Sequence, residues 1–446
     1  MWSTEKRLGD FKPSIVKQGT VAGPSMCSVS TAELIKRNRG VKGFPIGGTS
    51  IHSMVLVDDV GNINLDVPDV VLSHKNTTAF SRLKRLPLGG GKCFILPVNL
   101  RKKLEKELIP ILKVGDVKMT EKEKLLYLGA MFNKKGNNSD LIAHRIQQAR
   151  TCMINSIAMC TDITLGCYVF HALMLTYKAV FMQTLLYGAS VWTNLTKGEV
   201  QKMQILQLQF LKRSLQVPRS TSNCVVYLEL GVLPVIYEIH ARKLTFLHHV
   251  LTLSEDDPVF RTYREQRKYI MERNWANEII ELRETYELQE IDVGKLSKKK
   301  WKRLVKKNIR RKALEELCKE RATLSRATEY PEEKHLAPKK YLTDLNAVHA
   351  RILFRLRCKN WDLKEWRQYM YEDMSCRLCE QEDETLEHVL CCCSEVGREP
   401  PLQRAGLNVY TEDHETQMKL VKRAKSFADL VMARKEEAPD TTSTVS

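Results

Sequence analysis

Three sets of residues have types and spacings that suit particular chemistry. Asp58 and Asp59 close the apolar run Ser53–Val60 (SMVLVDDV) and stand just before Gly61 and Asn62. A strand that delivers adjacent carboxylates into a turn suits a hard divalent ion such as Mg²⁺, which prefers carboxylate oxygens and completes its shell with water and phosphate. Two such ions about 4 Å apart could clamp the attacking and leaving oxygens of a phosphoryl transfer. The plainer reading is a turn, since Asp-Asp-x-Gly-Asn is ordinary turn chemistry. The second set is Cys376-x₂-Cys379-x₈-His388, followed by Cys391, Cys392 and Cys393. Three thiolates and one imidazole make a closed tetrahedral structural zinc set, the spacing Cys376, Cys379, His388, Cys393 being one version and Cys391 and Cys392 competing fourth ligands. A cysteine-rich helix end without metal is the alternative. Residues 384–390 (ETLEHVL) read as a short helix that delivers His388. The third set is the run Lys295–Lys312, with eleven Lys or Arg and no acid. Lys298, Lys299, Lys300, Lys302, Arg303, Lys306, Lys307, Arg310 and Arg311 are its candidate phosphate contacts, and at helical spacing the cations are expected on every face, with Trp301, Leu304 and Val305 interspersed. Such a run gives salt-dependent, sequence-independent binding to nucleic acid, serves nuclear import, or is a solvated linker helix.

The elements that must carry these residues fall into blocks. Up to about residue 135, Ser53–Val60, Asn62–Leu72, Cys93–Val98 and Leu125–Phe132 read as strands between turn signals at Pro68 and Gly89–Gly91. From Asp140 the apolar spacing becomes helical and continues to about Leu253, broken by Pro218 and by Gly231–Pro234 into at least three helices. Residues 255–338 are charged and helix-prone, 341–397 hold a helix and the cysteine cluster, and the tail from Glu436 is polar and expected to be disordered. With 446 residues, 43% hydrophobic, 28% charged and a net charge of +18, the chain is globular and points to a polyanionic partner. The most apolar stretch, Gly166–Trp192, carries His171, Lys178 and Gln183, which argues against a membrane span. The start, MWSTEKRLGDFK, has no apolar core of a secretion signal, and thirteen cysteines in no disulfide-like framework read as intracellular thiols. The pair His248–His249 reads as structural, and Gly89-Gly90-Gly91-Lys92 lacks the spacing of a phosphate-binding loop.

The order of these motifs resembles the reverse transcriptases of non-LTR (LINE-like) retrotransposons. Lys17-Gln18-Gly19-Thr20-Val21-Ala22-Gly23-Pro24 stands where that family has a Q-G-x-x-x-x-P turn, followed by a helix-like stretch Met26–Lys36. Val57-Asp58-Asp59 matches its x-x-D-D hairpin, Lys92 its lysine-bearing segment, and Tyr127-Leu128-Gly129 its primer-grip hairpin. Leu185–Trp192 (LLYGASVW), Pro218-Arg219-Ser220 and Glu229–Pro234 (ELGVLP) resemble later landmarks of the family, with core and turn roles. The cysteine cluster resembles the knuckle that often follows the thumb, whose H-x₄-C spacing favours Cys393 as the fourth ligand. The likeness covers about residues 14–393.

The resemblance implies an RNA-directed DNA polymerase that uses two-metal nucleotidyl transfer, with RNA template and DNA primer or target as partners and Mg²⁺ and Zn²⁺ as cofactors. It implies Asp58 and Asp59 as metal-binding acids, Lys92 as proton donor to pyrophosphate, and Gln18 and Gly19 beside the template–nucleotide pocket. It departs from the family in one respect. The first catalytic aspartate belongs on a strand upstream of Gln18, but Asp10 lies in RLGDFKP, which is no strand, and no fingers segment is recognisable. An incomplete polymerase is therefore expected, with a non-catalytic nucleic-acid-binding remnant as the alternative. The expected fold is α+β: a partial palm (1–135), a helical thumb (136–254), a charged helical connector with the basic run (255–340), a helix with a CCHC zinc knuckle (341–397) and a polar, partly disordered tail (398–446). The expected location is the nucleus and cytoplasm, as a ribonucleoprotein.

Overall fold

The computed structural model describes residues 23–86, 88–99, 112–162, 169–324, 327, 329–397, 400–404 and 407–437. In chain order the helices are α1 (Gly23–Arg37), α2 (Val67–Leu83), α3 (Ser139–Asp162), α4 (Val169–Thr176), α5 (Met182–Leu185), α6 (Lys197–Ser214), α7 (Asn223–Leu230), α8 (Val235–Leu251), α9 (Pro258–Gln266), α10 (Trp275–Thr285), α11 (Lys298–Thr323), α12 (Tyr341–Asp344), α13 (Ala347–Arg357) and α14 (His414–Glu437). The strands are short: β1 (Phe44–Ile46), β2 (Thr49–Ile51), β3 (Ser53–Leu56), β4 (Asp59–Asn62), β5 (Phe94–Ile95), β6 (Lys113–Val114), β7 (Val117–Lys118), β8 (Thr120–Glu121), β9 (Lys124–Tyr127) and β10 (Ala130–Asn133). The fold is α+β, dominated by helix. No single helix among the described residues is long and apolar enough to cross a membrane.

Two compact units divide the chain. The described residues up to Leu141, together with Val250–Glu278, form the first; Ile142–His249 and the described residues from Ile279 form the second. The boundaries read from sequence differ here. The charged connector is not one block, because its first part, with α9, belongs to the unit that holds the strands.

In the first unit β3 and β4 form an antiparallel hairpin with Leu56 opposite Asp59 and a two-residue turn, Val57-Asp58. Val57 turns the chain at φ 59°, a left-handed conformation that a β-branched residue adopts only under strain of about 1–3 kcal/mol. A polar network fixes the hairpin's base. Buried Asn38, just beyond α1, donates to Ser53 (2.8 Å) and Asn62 (3.3 Å), and accepts from Asn76 of α2 (3.0 Å). Asn62 in turn donates to Thr77 (3.2 Å). Residues 62–72, expected as a strand, instead lead into α2. Asp66 caps that helix by accepting from the Asp69 amide (2.9 Å), and Pro68 sits in its first turn, where a missing N–H costs nothing. Leu125–Phe132, expected as one strand, is the hairpin β9–β10, turned by Leu128 (φ 47°) and Gly129 (φ 75°), the paired left-handed turn that matches strand twist. The expected strand Cys93–Val98 shortens to β5, which pairs in parallel with β8.

The second unit is helical, as the spacing after Asp140 predicts, and α6, α7 and α8 break where Pro218 and Gly231–Pro234 predict. Tyr177, Phe181 and Phe210 pack with ring centroids 4.8–5.7 Å apart. Beside them buried Gln207 donates to Tyr177 Oη and the Leu233 carbonyl, and accepts from Tyr227 Oη and the Val235 amide, all at 2.8–2.9 Å. Gly231 ends α7 at φ 58°, and a Cβ there would come within 2.2–2.3 Å of the backbone of Ala337 and Pro338. Two residues earlier, Glu229 is fully buried and bonds Arg357 of α13 (2.8 Å) and Tyr341 Oη (2.7 Å). The segment expected as a polar tail carries α14, whose Leu420, Val421, Ala424 and Phe427 are buried; residues 438–446 lie outside the described residues.

Removing one member of a buried ion pair strands the other charge, which costs about 3–5 kcal/mol. Glu229→Ala is therefore expected to lower the unfolding free energy of the helical unit by about that amount in urea titration, while Glu255→Ala, in an exposed 3.8 Å pair with Arg264, leaves stability within about 0.5 kcal/mol.

Candidate functional site

The cysteine cluster is built by a tight turn and a wide one. Ser375 and Asp383 form a β-bridge, the Cys376 amide donates to the Glu382 carbonyl (2.7 Å), and the Glu380 amide donates back to the Cys376 carbonyl (3.0 Å). Glu380 closes this loop at φ 58°. Thr385 then starts a short helix by accepting the His388 amide (3.0 Å). The helix widens to a π-turn over His388–Cys392, and its last bond runs from the Cys393 amide to the His388 carbonyl (2.8 Å). The wide turn sets Cys393, rather than Cys391 or Cys392, beside the first two cysteines; π-turns of this kind recur at functional sites.

The ligand atoms of Cys376, Cys379, His388 and Cys393 all lie within 4.8 Å of one another. Cys376 Sγ is 3.8 Å from Cys393 Sγ, and Cys379 Sγ is 3.2 Å from His388 Nε2. A tetrahedral zinc with Zn–S near 2.3 Å needs sulfur–sulfur edges of about 3.8 Å, so the thiol pair already has the required spacing. The donor set, three sulfurs and one nitrogen with no vacant position, suits zinc in a structural role. Cys392 faces away and accepts from Arg404 Nη2 (2.9 Å) and Nε (3.2 Å). Burial opposes ionisation of Cys379, but the Gln381 amide, the Cys376 thiol and His388 bring it down to about 7. Burial, and then the Cys376 thiol, push Cys393 up to about 12, so binding a metal must displace its proton.

Two residues that the sequence reading did not single out hold this set. Glu382 Oε2 lies 2.8 Å from His388 Nδ1, which leaves Nε2 to face the sulfurs. Arg423, buried on α14, donates to the Val389 carbonyl (3.1 Å) and the Cys393 carbonyl (2.8 Å), and so satisfies the end of the short helix. The signal for Arg423 was the helical spacing of Leu420, Val421, Ala424 and Phe427 in the presumed tail. Nothing local marked Glu382.

The basic run forms the first half of α11, capped by Ser297, which accepts the Lys300 amide (3.4 Å). Its cations do not cover every face. Trp301, Val305, Ile309, Ala313 and Leu317 form a buried stripe, and Trp301 Nε1 donates to the Leu244 carbonyl (2.7 Å). Arg310 is half-buried and donates to the Leu336 carbonyl; Arg311 pairs with Glu287 (2.7 Å) and Glu315 (2.8 Å). Those two arginines hold structure. Lys298, Lys299, Lys300, Lys302, Arg303, Lys306 and Lys307 are exposed and make no ion pair with an acid among the described residues.

Asp58 and Asp59 are exposed at the tip of the β3–β4 hairpin. The β9–β10 hairpin lies against it: Tyr127 Oη donates to the Met54 carbonyl (3.4 Å), and its ring would touch a Cβ at Gly61 at 3.2 Å. Burial, and next the Asp59 carboxylate, raise the Tyr127 phenol. Among the described residues no third Asp, Glu, His or Cys completes a metal set with Asp58 and Asp59. Lys92 is exposed on the turn Gly90–Lys92 and bonds neither acid among the described contacts. Gln18 and Gly19 lie outside the described residues. His248 is satisfied by the Leu296 carbonyl (2.8 Å), as a structural histidine should be.

Comparison with models of known protein families, and with curated proteins, gives no match to this sequence.

The geometry sets two expected outcomes. Zinc in the purified full chain approaches one per molecule, is lost in Cys379→Ser and is retained in Cys392→Ser, as read by atomic absorption. Glu382→Gln keeps the stoichiometry but weakens zinc about 10–100-fold in chelator competition; unchanged affinity would remove Glu382 from the site.

Proposed function

We propose that the chain is a reverse-transcriptase segment of a non-LTR retrotransposon that holds RNA template and DNA primer and carries two of the carboxylates of a nucleotidyl-transfer site. The observation that supports this reading is the pairing of two hairpins: Asp58–Asp59 at the tip of one, with Tyr127-Leu128-Gly129 turning the other laid against it. In the proposed reading the palm comprises the β3–β4 and β9–β10 hairpins with α1 and α2. The thumb is α3–α8, and the Cys376–Cys393 knuckle is braced by zinc.

In such enzymes Mg²⁺ stabilises the charge that develops as a primer hydroxyl attacks a nucleotide's α-phosphate. The described residues fit only part of that role. Asp58 and Asp59 are two exposed carboxylates without a third, so no polymerisation step is assigned to these residues alone. That observation favours a second reading, in which the chain binds nucleic acid without extending a primer. The exposed cations of α11, facing solvent without acidic partners, support binding in either case. Phosphate contacts there release counterions and act on any sequence.

Primer extension on an RNA template with Mg²⁺ separates the two readings. Tight RNA binding without extension supports the non-catalytic form, whereas extension that disappears in Asp58→Ala/Asp59→Ala supports polymerisation. Absence of RNA binding contradicts both. Replacing Lys298, Lys299 and Lys300 by Ala is expected to reduce the slope of log affinity against log salt by about 2. An unchanged slope would return the run to a linker.

A further inference from the structure

Within the helical unit, α8 and the segment 186–190 leave a groove of about 530 Å³ that opens beside the first turn of α11. Its wall is made of small residues, Gly188-Ala189-Ser190, which bring backbone rather than bulk to the opening. Phe246 and His249 stand together on α8, ring centroids 5.5 Å apart, and both line the groove. Arg242 and Lys298 supply positive charge, and none of the lining residues is acidic. Arg242 is held in place by the Leu186 carbonyl (3.2 Å) and Gln183 Oε1 (2.9 Å); these bonds occupy two of the five N–H donors a guanidinium offers. Lys298 continues into the exposed cations Lys299, Lys300 and Lys302 of α11.

An aromatic surface, a wall of small residues and two cations in a lining that holds no acid form a setting for one unpaired nucleotide: the base stacks on a ring and the phosphate meets the cations. The carboxylate of Glu238, one turn before Arg242, offsets part of its charge from behind the groove. We propose that this groove receives a nucleotide of single-stranded RNA or DNA, with the base on Phe246 and the phosphate between Arg242 and Lys298. A duplex does not fit the proposal, because its bases stack on each other and present no free face. The proposal rests on the nucleic-acid reading above and adds a place and a strandedness that the basic helix alone does not specify.

The test uses the full zinc-loaded chain and a short oligouridylate carrying 4-thiouridine, with cross-linked peptides identified by mass spectrometry. Cross-links are expected in residues 186–190 or 242–249. Phe246→Leu, which keeps an apolar side chain but removes the ring face, is expected to weaken single-stranded RNA about tenfold without changing the salt slope or the affinity for duplex. Lys298→Glu, on the exposed rim, gives a second variant that does not disturb the core and should weaken binding as well. Cross-links confined to other segments, or unchanged affinity in folded Phe246→Leu and Lys298→Glu, overturn the groove while RNA binding itself stands. If the unaltered chain binds no RNA, the groove and the nucleic-acid reading both fall.

Discussion

The buried pair between Glu229 and Arg357 is the constraint on which the helical unit depends. Both side chains are essentially inaccessible, and charges so placed are costly unless every polar atom is met. Here they are met. Tyr341 donates to Glu229, Arg357 donates to the Val409 carbonyl (3.3 Å), and the guanidinium lies over the rings of Tyr341 and Tyr410 at 5.3 and 5.2 Å. Tyr410 Oη then donates to the Arg357 carbonyl (3.0 Å). These contacts join the end of α7 to α12, to α13 and to the chain that enters α14. The Lys339 amide bonded to the Glu229 carbonyl (2.9 Å) and the tight approach at Gly231 complete the joint. A hydrophobic contact would tolerate sliding, whereas this arrangement has one register.

From that joint a second set of buried charges reaches the cluster of Cys376, Cys379, His388 and Cys393. α14 packs along α13, and its Arg423 caps the short helix that carries His388 and ends at Cys393. On the opposite side fully buried Glu384 accepts from the Arg377 guanidinium and from the Lys364 amide (3.1 Å), which fixes the loop between Cys376 and Cys379. The four ligands are thus held from both flanks by protein contacts. Zinc would add coordination energy to a site that is already shaped, and the spacing of the two buried sulfurs agrees with that view. The exposed face of α11 depends on the same unit, because its buried stripe, anchored by Trp301, orients the cations outward.

Where local chemistry decides structure, the sequence is readable. Helical spacing marked α6 to α8, Gly231 marked the end of α7, and the cysteine and histidine spacing marked Cys376, Cys379 and His388 while leaving the choice among Cys391, Cys392 and Cys393 open. The run Ser53–Val60, expected as one strand, is instead broken at Val57-Asp58 into β3 and the start of β4, so the turn lies one to two residues earlier than the Asp-Asp-x-Gly-Asn pattern suggests. Other features were misread although their signals were present: Asp66 and Pro68 are a helix start, and Leu128-Gly129 is a hairpin turn within what looked like one strand. The stripe Trp301, Val305, Ile309 was hidden by the charge around it. The rest depends on contacts distant in sequence. Glu229 meets Arg357 across 128 positions, Arg423 meets Cys393 across 30, and Val250–Glu278 joins a unit that begins far upstream. No window of residues contains those pairings.

Cys376, Cys379, His388 and Cys393 are expected to hold one zinc ion without help from the neighbouring thiols. X-ray absorption at the zinc edge of the full chain tests it most directly. Three sulfurs at about 2.3 Å and one nitrogen at about 2.0–2.1 Å are expected. A shell of four sulfurs, or one dominated by oxygen, would contradict the ligand set and the role assigned to the buried charges around it.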